Sequence, residues 1–539
     1  MKIGTKKHLR PVIVIIVFQV ALILLVHIAM ADSGPPDARQ AAKDHETQQL
    51  EVGLANCRYG VATLSTVQVD WVDDLGVGWY LNFGPSNVAA SNSAEYVPVI
   101  SIRQNKDASG NYLSTYTVVP ALTDNGLGNL VDSRPGALWI LGNEVDRGPD
   151  PGQTHGGQGD TFPGVYARAY HEVYHFIKQR DPSAQVTNSA LVQVTPGRLQ
   201  YLDLMWNAYK TLYGRSMPVD VWNMHLYILP EVNPSGEPNA IANVALGTDP
   251  AIGRKESGGN GNLCPLANIY CIAEHDDMNI FNEQVIAMRT WMRDHGQRNK
   301  PLILSEFSIL YPYEDDGPTC YLQDEFGNCF TSQRVVNFAN NTLNYLTNAT
   351  NPDLGYPTDG NRLIQQSLWF SVNNQNGVGN VSDLMRNNAL TPVGQAYKSF
   401  VEAQAVNVNL LVDHANNPVV NTGGGGTANA KLTVTVRNNG NSAPGTNFFV
   451  TFYKDPGLTQ PIATTSVPGP GPTTPGMTGC GRLSKEASVN WNNLTPGVHK
   501  FWVKVDSTNA VIELTESDNF GSGTVFVNAE QSYIPVSRR

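Results

Sequence analysis

The 539-residue sequence predicts an α/β protein with two domains: a (β/α)8 TIM barrel over residues 56–402, followed by an all-β, immunoglobulin-like sandwich over residues 431–530. Three observations carry this expectation. Short apolar runs rich in β-branched and aromatic residues alternate with amphipathic stretches up to residue 402, the pattern of strands joined by crossover helices. Eight such runs are legible, the number that closes a barrel. Beyond the glycine run Gly423–Gly426 the helical stretches stop, and short alternating strands separated by turn signals take over.

In chain order, Lys2, Lys6, Lys7 and Arg10 precede an apolar run from Val12 to Val26, and Ala29-Met30-Ala31 follows as a small-x-small cleavage site. Residues 1–31 thus read as a secretory signal peptide, or as a membrane anchor, since the stretch from Pro11 to Ala31 is long enough to span a bilayer. Both readings place the rest of the chain outside the cytoplasm, secreted or at the cell surface. Residues 32–55 are polar and read as a tether. The expected barrel strands are Val77–Phe83, Tyr96–Ile102, a weaker Tyr116–Val119, Ala137–Leu141, Gln185–Val192, Val219–Tyr227, Pro301–Phe307 and Gln366–Val372. Val165–Arg180 and Asn282–His295 have helical periodicity, and Leu390–Tyr397 leads a last helix. Residues 403–430 form a linker that holds a candidate first strand of the sandwich. Lys431–Arg437, Phe448–Tyr453, Ala487–Trp491, His499–Val505 and Gly523–Val527 supply its other strands.

At a formal charge of −11, with no Lys/Arg cluster beyond the N-terminus, the composition argues against nucleic acid as a partner. All six cysteines follow the leader, where oxidation is permitted. Cys264 with Cys271 and Cys320 with Cys329 are close neighbours in Gly/Pro/Asn-rich loops and are expected to be local staples, while the pairing of Cys57 and Cys480 is left open.

Two acids end two of the barrel strands: Glu144 after Trp139-Ile140-Leu141-Gly142-Asn143, and Glu306 after Leu302-Ile303-Leu304-Ser305. Barrel enzymes place catalytic groups at strand C-termini, and an acid that follows an apolar strand is costly to bury without a partner or a role. Gly142-Asn143-Glu144 and Leu304-Ser305-Glu306 resemble the strand-4 Asn-Glu and strand-7 Glu of the retaining clan A glycoside hydrolases, over residues 56–402. Gly78-Trp79-Tyr80 and Val97-Pro98-Val99 resemble the first two strands of the small barrel families that include β-1,3-glucanases and β-xylosidases. One departure is Val145-Asp146 where the clan usually continues with proline. The resemblance implies Glu144 as acid/base and Glu306 as nucleophile, with Asn143 on the sugar 2-hydroxyl. It also implies that His225 and Tyr227 line the site, that Trp369 and Trp79 contact sugar, and that Arg103 keeps Glu306 ionised. No cofactor or metal is implied. The loops after the strands ending near Tyr227 and Phe307 are long, and Tyr311, Tyr313 and Tyr321 offer further sugar contacts.

His171-Glu172-Val173-Tyr174-His175 matches the His-Glu-x-x-His pattern of zinc proteases. On the helical wheel both histidines point away from the face formed by Tyr170, Val173, Tyr174 and Ile177, and a solvated helix surface is the expectation. Val434-Thr435-Val436-Arg437-Asn438-Asn439-Gly440, Trp491 with Leu494-Thr495-Pro496-Gly497, and Val511-Ile512-Glu513 through Asn519 resemble the CARDB adhesion modules of bacterial surface proteins. The function implied is an exported retaining hydrolase of β-linked glycans, with a polysaccharide or oligosaccharide substrate and cell-surface association through the module or the anchor. The alternative is a surface protein that binds glycan without cleaving it. Because every candidate catalytic residue precedes Phe400, the sandwich is expected to be dispensable for chemistry.

Overall fold

The computed structural model describes residues 55–528, except 65–67, 87–89, 92, 234, 240, 253–268, 312–322, 375–378, 424–425 and 470–476. The leader, most of the tether, Cys264, Cys320, Tyr313 and Tyr321 lie outside the described residues. No described helix is long and apolar enough to cross a membrane.

The first part is a barrel-like α/β region. Its strands are β1 (Asn56–Ala62), β2 (Val77–Leu81), β3 (Glu95–Tyr96), β4 (Val99–Lys106), β5 (Tyr112–Val119), β6 (Leu138–Leu141), β7 (Gln185–Thr187), β8 (Trp222–His225), β9 (Leu302–Phe307) and β10 (Gln366–Trp369). One sheet runs β3-β2-β1-β10-β9-β8 and is parallel throughout. The other runs β5-β4-β6-β7, parallel except for β5. A parallel bridge from Thr187 to Val221 joins the sheets on one side. On the other, the chain passes directly from β3 to β4, with Val97 N bonded to Tyr80 O and Val99 N to Gly84 O.

Helices α1 (Val69–Asp74), α2 (Asn129–Asp132), α3 (Pro163–Arg180), α4 (Pro196–Tyr213), α5 (Met278–Asp294), α6 (Ser332–Asn348) and α7 (Pro392–Glu402) pack outside. Inside lies a separate apolar cluster with Ala62, Trp79, Leu81, Val97, Val99, Leu138, Ile140, Val221, Ile303 and Leu368. Period-two alternation divides the strands between these two cores: Leu368 faces in, while Trp369 faces the helices.

Two strand expectations are corrected. The first parallel strand is β1, which hides from a hydrophobic scan because Asn56 and Arg58 are polar yet buried and Gly60 carries no side chain. Arg58 is matched by Asp359 at 2.8 Å. A Cβ on Gly60 would stand 2.6 Å from the Trp79 ring, so glycine is what lets that indole fill the interior. The Gly78-Trp79-Tyr80 and Val97-Pro98-Val99 segments therefore belong to the second and third positions of the parallel series. Tyr116–Val119 is not a parallel strand but the return arm of an antiparallel hairpin, β4–β5, whose register pairs Ser101 with Val119 and Arg103 with Thr117.

A short hairpin of β11 (Met385–Arg386) and β12 (Ala389–Leu390) precedes α7. The second part packs a three-stranded sheet, β13 (Leu410–Ala415), β15 (Ala428–Asn438) and β18 (Ser484–Leu494), against a five-stranded one. The latter holds β14 (Val419–Val420), β16 (Phe448–Tyr453), β17 (Pro461–Val467), β19 (Gly497–Lys504) and β20 (Phe520–Val527). Leu432, Val434, Val436, Phe448, Val450, Phe452, Phe501, Val503 and Val525 fill the space between the sheets. The β-sheet part thus begins at β13, some way before Lys431.

This part is fastened to the barrel-like region at the N-terminal ends of its strands, opposite the ends that carry Glu144 and Glu306. Cys57, in β1, is disulfide-bonded to Cys480, and Cys57 N donates to Asn441 O at 2.9 Å. Arg482, almost fully buried, exchanges hydrogen bonds with Gln185 at the start of β7, 3.1 Å from Nη1 to Oε1 and 2.7 Å from Gln185 Nε2 to its own carbonyl. It also pairs with Glu95 at the start of β3. Asn439 Nδ2 donates to Thr358 O at 2.9 Å, ahead of β10. The expectation that the sandwich is dispensable concerns chemistry alone; this junction bears on the stability of the barrel-like region. Cys271 and Cys329 are each disulfide-bonded as well; the partners expected for them, Cys264 and Cys320, lie outside the described residues.

Candidate active site

Glu306 is held within β9, whereas Glu144 lies three residues past β6 on a turn. Its φ of +44° places Glu144 in the left-handed region, which costs a side-chain-bearing residue about 1–2 kcal/mol. Backbone bonds hold it there: Glu144 N donates to Ala190 O at 3.0 Å, and Glu144 O accepts from Arg147 N at 3.1 Å and Gly159 N at 3.0 Å. Gly159 permits this close approach, since a Cβ there would stand 2.6 Å from Asn143 O.

The two carboxyls converge on His225. Its Nδ1 lies 3.2 Å from Glu144 Oε1 and 3.8 Å from Glu306 Oε2. One ligating atom from each of the three residues lies within 4.8 Å of the others, and all three residues are buried. The spacing would admit a cation, and His225 and Glu144 are hydrogen-bonded to one another. Tyr227 Oη donates to Glu306 Oε1 at 2.7 Å.

Burial pushes the Glu306 carboxyl up, to about 7; His225 pulls it back, the charge of Glu144 adds to the rise, and the Tyr227 hydroxyl opposes it. Burial alone would lower the His225 imidazole, yet the two carboxylates beside it reverse that and raise it. Glu306 and His225 thus each alter the other's proton affinity. Tyr227 is raised well above its ordinary value by burial and stays a hydroxyl donor.

The sequence-predicted residues divide cleanly. Glu144, Glu306, His225 and Tyr227 come together, with Asn143 half-buried beside them and its side-chain amide unbonded among the described residues. Arg103 does not join them: it is exposed on the β4–β5 hairpin and donates to Gln158 O at 2.6 Å, and the basic side chain beside Glu306 among the described residues is His225. Trp369 faces outward, is fully buried against Phe307, Phe338 and Tyr397, and spends its Nε1–H on Ser382 O at 2.8 Å. Trp79 is fully buried in the interior below the site. Tyr311 is buried against His275 and Phe330.

The aromatics that do reach the strand C-termini on the interior side are Phe370, following β10, and the half-buried Phe83, following β2. Their rings meet edge to face at 6.0 Å, next to Leu64 and Leu310. Only strand phase distinguishes Phe370 from Trp369. A second unforeseen residue is His275, held neutral by burial, which lowers it to about 4. Its Nδ1 meets Ile228 O at 2.9 Å and its Nε2 accepts from Leu310 N at 3.0 Å. It thereby ties together the loops behind Tyr227 and Glu306.

The His-Glu-x-x-His pair sits between α3 and α4, away from this cluster. His171 stacks on Tyr213 with its Nδ1 2.8 Å from Tyr209 Oη, and His175 Nε2 is 2.8 Å from Arg215 Nη2. Both imidazoles are half-buried rather than fully solvated, and the Arg215 guanidinium occupies the nitrogen that a metal would need. Replacing both histidines by alanine is expected to leave the Glu144–His225–Glu306 cluster undisturbed and to cost at most about 1–2 kcal/mol of stability through lost packing, measured by thermal unfolding. A peptidase activity lost in that variant would contradict this placement.

Residues 407–522 match the family model described as CARDB. They form a CARDB domain. No curated protein matches the chain. Among solved structures, the CARDB domain is similar to that of a Pyrococcus furiosus protein in complex with di-metal ions, at 22% identity and a TM-score of 0.18 over 23% of this chain and 97% of that one. The chain is also similar to a GH128 subgroup III curdlan-specific exo-β-1,3-glucanase from Blastomyces gilchristii, at 15% identity and a TM-score of 0.35, covering 64% of this chain and 97% of that one. A GH53 catalytic domain from Ignisphaera aggregans is similar at 13% identity and a TM-score of 0.35, over 64% and 96%. The CARDB domain contributes no residue to the Glu144–His225–Glu306 cluster.

Proposed function

We propose that the protein is an exported retaining glycoside hydrolase that cleaves β-linked glycans at the Glu144–Glu306 pair, and that its parallel strands act as one (β/α)8 frame. The carrying observation is the convergence of two buried carboxyls from separate strand ends, with an oxygen of each within 4.8 Å of the other and of His225. Retaining sites keep their carboxyl groups roughly 5–5.5 Å apart, too close for an intervening water, so one carboxylate attacks carbon directly. Glu306, fixed in a strand and bonded by Tyr227, is the nucleophile. Glu144 gives the leaving oxygen its proton and then, as a carboxylate, activates the water that releases the sugar.

Asn143 binds the sugar 2-hydroxyl, and the Phe83–Phe370 pair offers a pyranose an apolar contact at the strand C-termini. Export and surface association rest on the leader and on the CARDB domain. Release of reducing sugar from a panel of β-glucans, xylans, mannans and galactans tests this reading and identifies the glycan. No release from any of them would sink it.

The same chemistry sets a pH expectation. Tyr227 stabilises the ionised form of Glu306, so Tyr227→Phe raises that carboxyl further. The acid limb of the kcat/KM profile is expected to move up by about one pH unit, with a greater loss at pH 6 than at pH 8. An unshifted limb would mean that Tyr227 is only packing.

A further inference from the structure

Two residues beyond Glu144 the same turn carries Asp146, which is fully buried and faces away from the His225 cluster toward α4. There Arg198, also fully buried, binds it through Nε at 3.0 Å from Oδ2. The rest of the guanidinium is committed as well. Nη1 donates to Asn243 O at 2.8 Å and lies 2.7 Å from Glu231 Oε1, while Nη2 donates to Ala242 O at 2.9 Å. Glu231 in turn accepts from Thr195 Oγ1 at 2.5 Å and Gln193 Nε2 at 2.8 Å. Leu246 N closes the ring of contacts on Asp146 O at 2.9 Å.

One side chain therefore binds three segments together: the turn after β6, the first turn of α4, and the loop after β8. Two acids against one base, all without solvent, is an expensive arrangement, and an apolar cluster of the same volume would hold a fold at least as well. What this arrangement supplies is direction, because a guanidinium fork fixes its partners' geometry. The residue that needs fixing is Glu144, on a left-handed turn outside any strand. Glu306 is built into β9 and has no contact with this network.

We propose that Arg198, acting through Asp146 and Glu231, is a positioning residue that holds the general acid Glu144 at the leaving oxygen without affecting the nucleophile. This rests on the glycosidase reading above. It predicts a split between two half-reactions. Hydrolysis of the polysaccharide needs the Glu144 proton. Reaction with a 2-deoxy-2-fluoro glycosyl fluoride of the same sugar does not: Glu306 Oε bonds to the anomeric carbon as the carbon–fluorine bond breaks, and fluoride leaves unprotonated.

In Asp146→Ala and Arg198→Lys, kcat on the polysaccharide is expected to fall by about 10²-fold with KM little changed, as for a catalytic group displaced by about 1 Å. Labelling of Glu306, followed by intact mass, should stay within about threefold of wild type because the nucleophile keeps its geometry. Asp146→Asn keeps the shape and an acceptor for Arg198 and is the variant expected to fold in any case. It should show the same split at about tenfold, part of the loss being rescued by the retained hydrogen bond. Equal loss of hydrolysis and labelling, or no loss of either in a folded variant, overturns the inference while leaving the glycosidase reading intact. A wild-type protein that neither degrades any polysaccharide of the panel nor becomes labelled overturns both.

Discussion

Glu306→Ala is expected to reduce turnover of every substrate by about 10⁴-fold or more, because the covalent step has no other carboxylate placed to attack carbon. Glu144→Ala should be as damaging on polysaccharide but nearly silent in the first step on a dinitrophenyl glycoside, whose leaving group departs without a proton. The glycosyl-enzyme should then accumulate, seen as a burst of dinitrophenol followed by slow release, since in the proposed mechanism Glu144 is also the base for the second step. Proton NMR of the first-formed sugar is expected to show the anomeric configuration of the substrate. An inverted product would remove the double displacement, and equal sensitivity of both variants to leaving group would remove the assignment of roles.

The second large effect concerns the junction at the N-terminal strand ends. Truncation before the CARDB domain spares every residue of the active-site cluster but deletes Cys480 and Arg482, and so leaves Cys57, Glu95 and Gln185 without their partners. Loss of a long-loop disulfide costs about 2–5 kcal/mol, and each buried polar group stripped of its partner about 1–3 more. The truncated protein is expected to unfold at least 10 °C lower, by an order-of-magnitude conversion from such losses, while retaining turnover of a small aryl glycoside in the cold. Cys57→Ser with Cys480→Ser should reproduce part of the drop. A truncated protein with an unchanged unfolding temperature would show that the contacts at this junction contribute nothing to the barrel.

Glu144 and Glu306 stood out in the sequence because an acid that follows an apolar strand is costly to bury without a role, whereas His225 and Tyr227 followed from the resemblance; the structure brings the four together. The residues misplaced from the sequence were those whose address depends on facing. Leu368-Trp369-Phe370 is apolar throughout, so nothing in its pattern says which side chain enters the barrel-like interior; the ladder register decides, and it selects Phe370 over Trp369. Arg103 was expected at the rim, but β4 continues past it into the hairpin with β5 and leaves it exposed. β1 was missed because its burial is paid in ion pairs and a glycine rather than in hydrophobicity. Arg198 was invisible for a related reason: it lies far along the chain from Asp146, and only the folded structure shows that they meet.

Cys57 and Cys480 are bridged across a sequence separation of 423, which takes in the whole Glu144–His225–Glu306 cluster. Mechanically this is a shunt. Tension applied upstream of Cys57 and downstream of Cys480, as on a chain tethered at one end to a cell and at the other to its surroundings, has a covalent path through two sulfur atoms that bypasses the barrel-like region. The Glu144–His225–Glu306 cluster stays off that path while the bridge is intact. A protease that nicks any loop between the two cysteines likewise leaves both fragments joined, and an enzyme cut in this way can keep working where an unbridged one would come apart.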